Sequence, residues 1–344
     1  MKKILYIGQI SIGQTSRERL LALEDLGHSV ISIQSNRNNT IIKRLFEKLF
    51  EKTNWHIDLS KLNKDIIKQI EIEKFDIVWI DKGSHILPST LRLIKENQPN
   101  CILVHINPDD PFGKFRNGWK RFFLTIPLYD VHFVSRTANI REYRDHGALT
   151  VYEYDRSYSK HLHFPVQLTK EDYSKFHTPI GFVGTHAHDR ARSIAYLIKN
   201  GINVTVYGNN WPDNSFWDII KPFYRGPSQF GESYAKIING MDIALHFLRK
   251  ENRDAQDSRT FEIPACGTFM IAERSPKHEA FFKEDVESVF FSTDEELLHK
   301  VRYYLSNPEK VRSIGYAGYL RCINSGYDHH SRMKSFIDIV IKNH

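Results

Sequence analysis

Short apolar runs alternate with helix-forming segments along nearly the whole chain, and this alternation limits the fold more than any other feature. Residues 4–8, 29–34, 76–81, 101–107, 131–135 and 150–154 read as strands. They are rich in Ile, Val, Leu, Phe, Tyr and Trp, as strands are. Between them lie helical patterns. Thr15 and Glu18 have capping-box spacing, Leu20, Leu23 and Leu26 form a stripe, and Gly27 supplies a stop. Further helices are predicted at 40–52 and 61–73, after Pro88, and before Gly147. Residues 155–178 lack an apolar period and read as an interdomain linker. The alternation then restarts with strands at 179–184, 203–208, 242–247, 268–272 and 286–292, and helices from His188, at 231–239, 261–266 and 294–306, and from Pro308. A last helix at 327–343 follows the second series. The class is α/β, with two mostly parallel, doubly wound sheets.

The 344 residues suffice for two ordinary cores, and 41% hydrophobic with 26% charged residues is a globular composition. Cys101, Cys266 and Cys322 are odd in number and widely spaced, which points to a reducing compartment and away from a metal cage. The apolar start is broken by Gln9, Ser11 and Gln14 with no small-residue cleavage site, so it reads as a first strand of a cytoplasmic protein. No run approaches the ~20 apolar residues of a membrane span. A net charge of +7 admits anionic lipid, phosphorylated substrates or nucleic acid as partners. Gly8 and Gly13 do not form a Gly-x-Gly-x-x-Gly fingerprint, so no nicotinamide cofactor is indicated.

The densest chemical signal is Asp257-Ser258-Arg259-Thr260-Phe261-Glu262-Ile263-Pro264-Ala265-Cys266-Gly267-Thr268-Phe269-Met270-Ile271. A helix start beside a strand end is where doubly wound sheets place ligands. Helix N–H groups favour an anion there, Arg259 adds a forked cation, and the Glu262 carboxylate can accept from two vicinal hydroxyls such as those of a ribose. Ser258 and Thr260 flank Arg259 at the same helix start. The plainer reading is an ordinary helix N-terminus with a surface glutamate.

This segment resembles the donor-binding stretch of group 1 glycosyltransferases, specifically the CgeB-like branch. The resemblance implies that Glu262 holds the ribose of a nucleotide-sugar and that the Ala265-Cys266-Gly267 turn lets backbone approach it. Many relatives carry a first Glu eight positions earlier. Here that position is Asp254, a departure that bears on the sugar contacts.

Other segments fit the same scheme. Phe182-Val183-Gly184-Thr185-His186-Ala187-His188-Asp189-Arg190 ends a strand in glycine and opens a cationic helix, suited to neutralising a departing diphosphate. His186 and Arg190 are the leaving-group candidates from this side and Arg259 from the other, with Gly184 and Thr185 lining the donor. A solvated helix turn is the plainer alternative. Tyr207, Gly208 and Trp211 follow a strand, where glycine would admit a planar base and a ring would stack on it. Asn107-Pro108-Asp109-Asp110-Pro111 ends a strand in carboxylates. Asp110 is the candidate general base or acceptor-hydroxyl ligand, against the reading of a turn-forming Asx residue. Gly8 is expected under the donor phosphates or near the acceptor, and His85 is a further candidate. Two basic amphipathic stripes, 41–52 and 114–123, fit either an anionic membrane surface or the edge of a core helix.

The sequence expectation is thus a GT-B architecture: two Rossmann-like domains facing a central cleft, residues 1–165 on the acceptor side, 166–326 binding the nucleotide-sugar, and a helix at 327–344 returning to the first domain. The function expected is metal-independent transfer of a sugar from a nucleoside-diphosphate sugar to a carbohydrate or lipid-linked acceptor of the bacterial cell envelope, retention weakly favoured. No metal ligands, cofactor or nucleic-acid partner are expected, and the place is cytoplasmic, at the inner face of the membrane where the acceptor is lipid-linked. The alternatives are a nucleotide-sugar epimerase of the same architecture and a non-catalytic nucleotide-sugar or RNA-binding protein.

Overall fold

Strands β1 (Lys3–Gly8), β2 (Ser29–Gln34), β3 (Ile77–Asp81), β4 (Ile102–Asn107), β5 (Val131–Val134) and β6 (Val151–Glu153) form one sheet in the order β2-β1-β3-β4-β5-β6, every pair parallel. The computed structural model describes residues 1–35, 61–114, 119–212 and 214–343. The helix predicted at 40–52 lies outside them. β3 is buried at every residue, as its unbroken apolar run requires. One face of the sheet carries Ile4, Tyr6, Trp79, Val104 and Phe133, and the other Leu5, Ile7, Val78, Ile80 and Leu103. That is the period of two along each strand.

The second sheet, built from β7 (Thr178–Val183), β8 (Thr205–Tyr207), β9 (Tyr224–Gly226), β10 (Met241–His246), β11 (Phe269–Glu273) and β12 (Val289–Phe291), has the order β12-β11-β10-β7-β8-β9 and is likewise parallel throughout. The sheet order makes β7 and β10 central neighbours, so their C-terminal ends lie side by side.

The compact units are Met1–Asp155 with Glu251–Arg253 and His330–His344, and Arg156–Lys250 with Asp254–His329. The last helix, His329–Asn343, supplies Met333, Phe336, Ile337 and Val340 to the core of the first unit, where Phe336 lies 4.4 Å from Phe133 and 6.2 Å from Trp79, ring centre to ring centre.

Three stretches differ from what periodicity alone suggests. Residues 155–178 are not an open linker, because Ser157, Tyr158, Ser159 and His163 are buried and Lys170–Phe176 is a helix capped by the Thr169 side chain. The short elements Trp217–Ile220 and β9 were hidden in a Trp/Pro-rich stretch too brief to show a period. In the 114–123 stripe Trp119 and Phe122 are core residues with Phe123 half-buried against them, while 115–118 lie outside the described residues.

Candidate functional site

The chemistry gathers at the C-terminal ends of β7 and β10. β7 runs into Gly184, whose N–H donates to the Tyr207 carbonyl and whose own carbonyl accepts from the Trp211 indole at 2.9 Å. A Cβ on Gly208, at φ +147°, would stand 1.9 Å from the Gly184 oxygen. Gly208 is therefore demanded by the approach of two chain segments. Trp211 is fully buried in the core and is not placed to stack on a base, which corrects the sequence expectation. Tyr207 is also buried, its ring among Val183, Ala244 and Phe261. Periodicity found the strand end but could not say which way the rings turn.

β10 ends in His246, wholly buried, whose Nε2 lies 2.9 Å from Asp257 Oδ1. The same carboxylate accepts from the Arg259 backbone N–H at 2.8 Å and, through Oδ2, from Arg259 Nη1 at 2.7 Å. Burial alone would raise the Asp257 pKa, but the charges of Arg259, His246 and Arg190 hold it well below the ordinary carboxylate value. Arg259 is likewise kept charged. Burial would lower its pKa, and the neighbouring Asp257, Tyr234, Glu262 and Asp254 raise it.

The helix that follows, Arg259–Ala265, is short, and its first N–H groups are already engaged: Arg259 with Asp257 Oδ1, Thr260 with the Asp257 carbonyl, and Phe261 and Glu262 with the Ser258 carbonyl. Those first-turn N–H groups are therefore not open to an anion, and the cation at this helix start is the Arg259 guanidinium. Arg259 remains partly exposed, and its Nη2 lies 3.5 Å from where a Cβ on Gly184 would stand. Thr260 faces inward rather than toward a donor: it is buried, accepts from Asp257 N–H, and bonds His278 Nε2 at 2.9 Å. His278 donates from Nδ1 to the Glu273 carbonyl, and burial lowers its pKa to about 3, so it is neutral. Ser258 is half-buried at the N-cap and makes no side-chain cap bond. Glu262 is half-buried and accepts from the Tyr234 hydroxyl through Oε2. Tyr234 lies on helix Gly231–Asn239.

Arg190 is buried on helix His188–Lys199, donating Nη1 to the Thr185 carbonyl at 3.1 Å and Nη2 to the Phe247 carbonyl at 2.7 Å. Burial and the nearby Arg259 charge lower its pKa to about 10. It ties the loop after β7 to the end of β10. Its expected role as a direct contact is revised by this burial. Thr185 and His186 are half-buried; the His186 N–H donates to the Asn209 carbonyl and its ring packs edge-on against Trp211. Asp254 is half-buried, and its backbone N–H donates to the Arg249 carbonyl.

Asp110 belongs to the first unit and is engaged as a structural ion pair. It accepts from Arg253 Nε at 2.6 Å and Nη2 at 2.8 Å, from Asn139 at 3.0 Å and from the Phe112 N–H at 3.1 Å. Burial raises its pKa, but the bonds from Arg253 and Asn139 and the Arg253 charge outweigh it and lower the net value. A carboxylate so saturated is a poor proton acceptor, which corrects the general-base expectation. Gly8 has a packing reason too, because its Cβ would stand 2.2 Å from Ser16 Oγ. Beside it the sequence reading missed a buried network in which Asp81 accepts from the Tyr6 hydroxyl at 2.9 Å and from Arg19 Nε at 2.8 Å. His85 is exposed, and its carbonyl accepts from Asn63.

The family comparison covers the later part of the chain, whereas the structural ones cover nearly all of it. Residues 190–338 match the glycosyl transferase-like family, a span that holds Arg190, Asp257, Arg259 and Glu262. Over that span the chain resembles a glycosyl transferase-like family, and its fold is GT-B. The match is broader than the CgeB-like branch. No curated protein matches the chain by sequence. Among solved structures, it is similar to sucrose-phosphate synthase of Thermosynechococcus elongatus, at 13% identity over all of both chains and a TM-score of 0.68. It is also similar to HepE of Anabaena in complex with UDP-glucose, at 12% identity over 98% of this chain and all of that one, TM-score 0.65. A third is a Listeria monocytogenes protein described as a putative UDP-N-acetylglucosamine 2-epimerase, at 10% identity over 97% and 94% and a TM-score of 0.56. At such identities these likenesses establish the fold. Among the described residues no helix is long and apolar enough to cross a membrane.

Proposed function

We propose that this glycosyltransferase-like protein takes a nucleoside-diphosphate sugar in its second unit and transfers the sugar to an acceptor hydroxyl. The observation that carries this reading is the pairing of two groups one turn apart: a partly exposed guanidinium at the Gly184 strand end, and a half-buried carboxylate at Glu262. The first suits the diphosphate and the second the ribose hydroxyls. As the glycosyl bond breaks, negative charge grows on the departing phosphate. Arg259 meets that charge directly and Arg190 adds its field in a water-poor setting. In this reading cationic side chains do the work and no metal is needed, the acceptor is a carbohydrate or lipid-linked hydroxyl of the bacterial envelope, and the anomeric configuration is retained. With Asp110 occupied by Arg253, the acceptor proton passes to the departing diphosphate oxygen rather than to a base at that position.

A thermal-shift series with UDP, GDP, CDP, ADP and TDP tests the reading, since a ligand that binds only the folded state must raise the melting temperature. One diphosphate is expected to shift the transition clearly. No shift with any of them, with binding to RNA at low salt instead, would favour the non-catalytic alternative.

A further inference from the structure

We propose that Asp257, backed by His246, is a positioning residue that fixes the Arg259 guanidinium against the phosphate end of the donor. This deepens the transfer reading and rests on it. The geometry is specific. One carboxylate oxygen takes the His246 imidazole and the Arg259 backbone N–H, at 2.9 and 2.8 Å, and the other takes Arg259 Nη1 at 2.7 Å. Three contacts to two oxygens leave the carboxylate no rotational freedom, and holding both the backbone and the side chain of one residue fixes its direction. Nη2 is left pointing to the end of β7, beside Gly184. His246 is itself enclosed, 0% exposed at the end of a central strand and 5.1 Å from the His278 ring. A chain of contacts therefore runs from the central strand through His246 and Asp257 to the partly exposed Arg259 guanidinium.

The cost of leaving Arg259 unheld follows from its chemistry. A free arginine side chain samples many rotamers, and fixing them on ligand binding is paid at that step. Held in advance, the fork meets a phosphate already oriented, which is how a site favours the charge that develops during reaction. Asp257 does this at an electrostatic disadvantage, because its negative charge opposes an anionic ligand. That conflict makes the proposal testable: an isosteric neutral replacement removes both the orientation and the repulsion, whereas Asp257→Glu keeps the charge and moves it by one methylene.

The experiment is calorimetric titration of wild type, Asp257→Glu and His246→Asn with UDP and with UMP, with the GDP, ADP, CDP and TDP pairs run alongside. Wild type is expected to bind one diphosphate more tightly than its monophosphate. Asp257→Glu is expected to lose about tenfold in diphosphate affinity while the monophosphate changes less than about twofold, and His246→Asn to lose a smaller factor in the same direction. Retained monophosphate binding shows that the variant is folded. Equal losses for both ligands, or no loss for either, would overturn the positioning role and leave the transfer reading intact. If wild type binds no diphosphate at all, the transfer reading falls and this inference with it. Should Asp257→Glu not fold, His246→Asn decides by the same comparison.

Discussion

Single residues show most sharply what a sequence can and cannot reveal. Arg259 and Glu262 were legible because their spacing after an apolar run puts both near a helix start, and the structure places them there. Asp257 was overlooked, although its position eleven residues past His246 was in view, because only the fold brings a strand end and a loop carboxylate within 2.9 Å. Trp211 misled for the opposite reason: an aromatic after a strand-end glycine reads equally well as a stacking ring or as core, and the Gly184 carbonyl decides for core. Replacing Glu262 with Ala is expected to weaken binding of the preferred nucleotide by about 1–3 kcal/mol, measured by titration, with little change in melting temperature. Trp211→Phe should do the reverse. It leaves a buried carbonyl without its donor, so stability falls by about 1–3 kcal/mol in denaturant melts while nucleotide affinity is kept. Asp110 carries a pH signature. Its folded pKa lies below that of an unfolded chain, so its contribution to stability is complete above the ordinary carboxylate range and is lost as pH falls through the depressed folded value. Asp110→Asn should flatten that part of the acid-unfolding curve, and an unchanged acid limb would remove the ion pair from the account.

At the level of elements, the parallel strands were readable because double-sided burial writes itself as unbroken apolar runs, of which β3 is the plainest. β9, three residues long at a sheet edge, leaves no such trace. The packed stretch after Asp155 was unreadable for a different reason, since its buried members are polar and aromatic residues such as Ser157, Tyr158 and His163 in irregular backbone. The junction of β7 and β8 depends on glycine in a way the sequence only suggested. Gly208→Ala would drive a Cβ into the Gly184 carbonyl at a φ that side chains rarely adopt, and is expected to cost about 2–4 kcal/mol in equilibrium unfolding. Wild-type stability in that variant would mean that the two loops are not held as described.

For the whole molecule, the two alternating series were enough to predict two doubly wound sheets, and the last helix joins the core of the unit in which the chain begins. Phe336→Ala, which empties a space between Phe133 and Trp79, should cost about 3–5 kcal/mol in the unit that contains it. The direct test of the central claim is turnover. Purified protein is incubated with UDP-, GDP-, CDP-, ADP- and TDP-sugars, and release of the free nucleoside diphosphate is followed with and without candidate acceptors. The account predicts release from one nucleotide class, slowed in Arg259→Lys because a point charge cannot replace the fork, with the variant's melting temperature near wild type. Release at the wild-type rate in Arg259→Lys, or from no nucleotide-sugar at all, would contradict it.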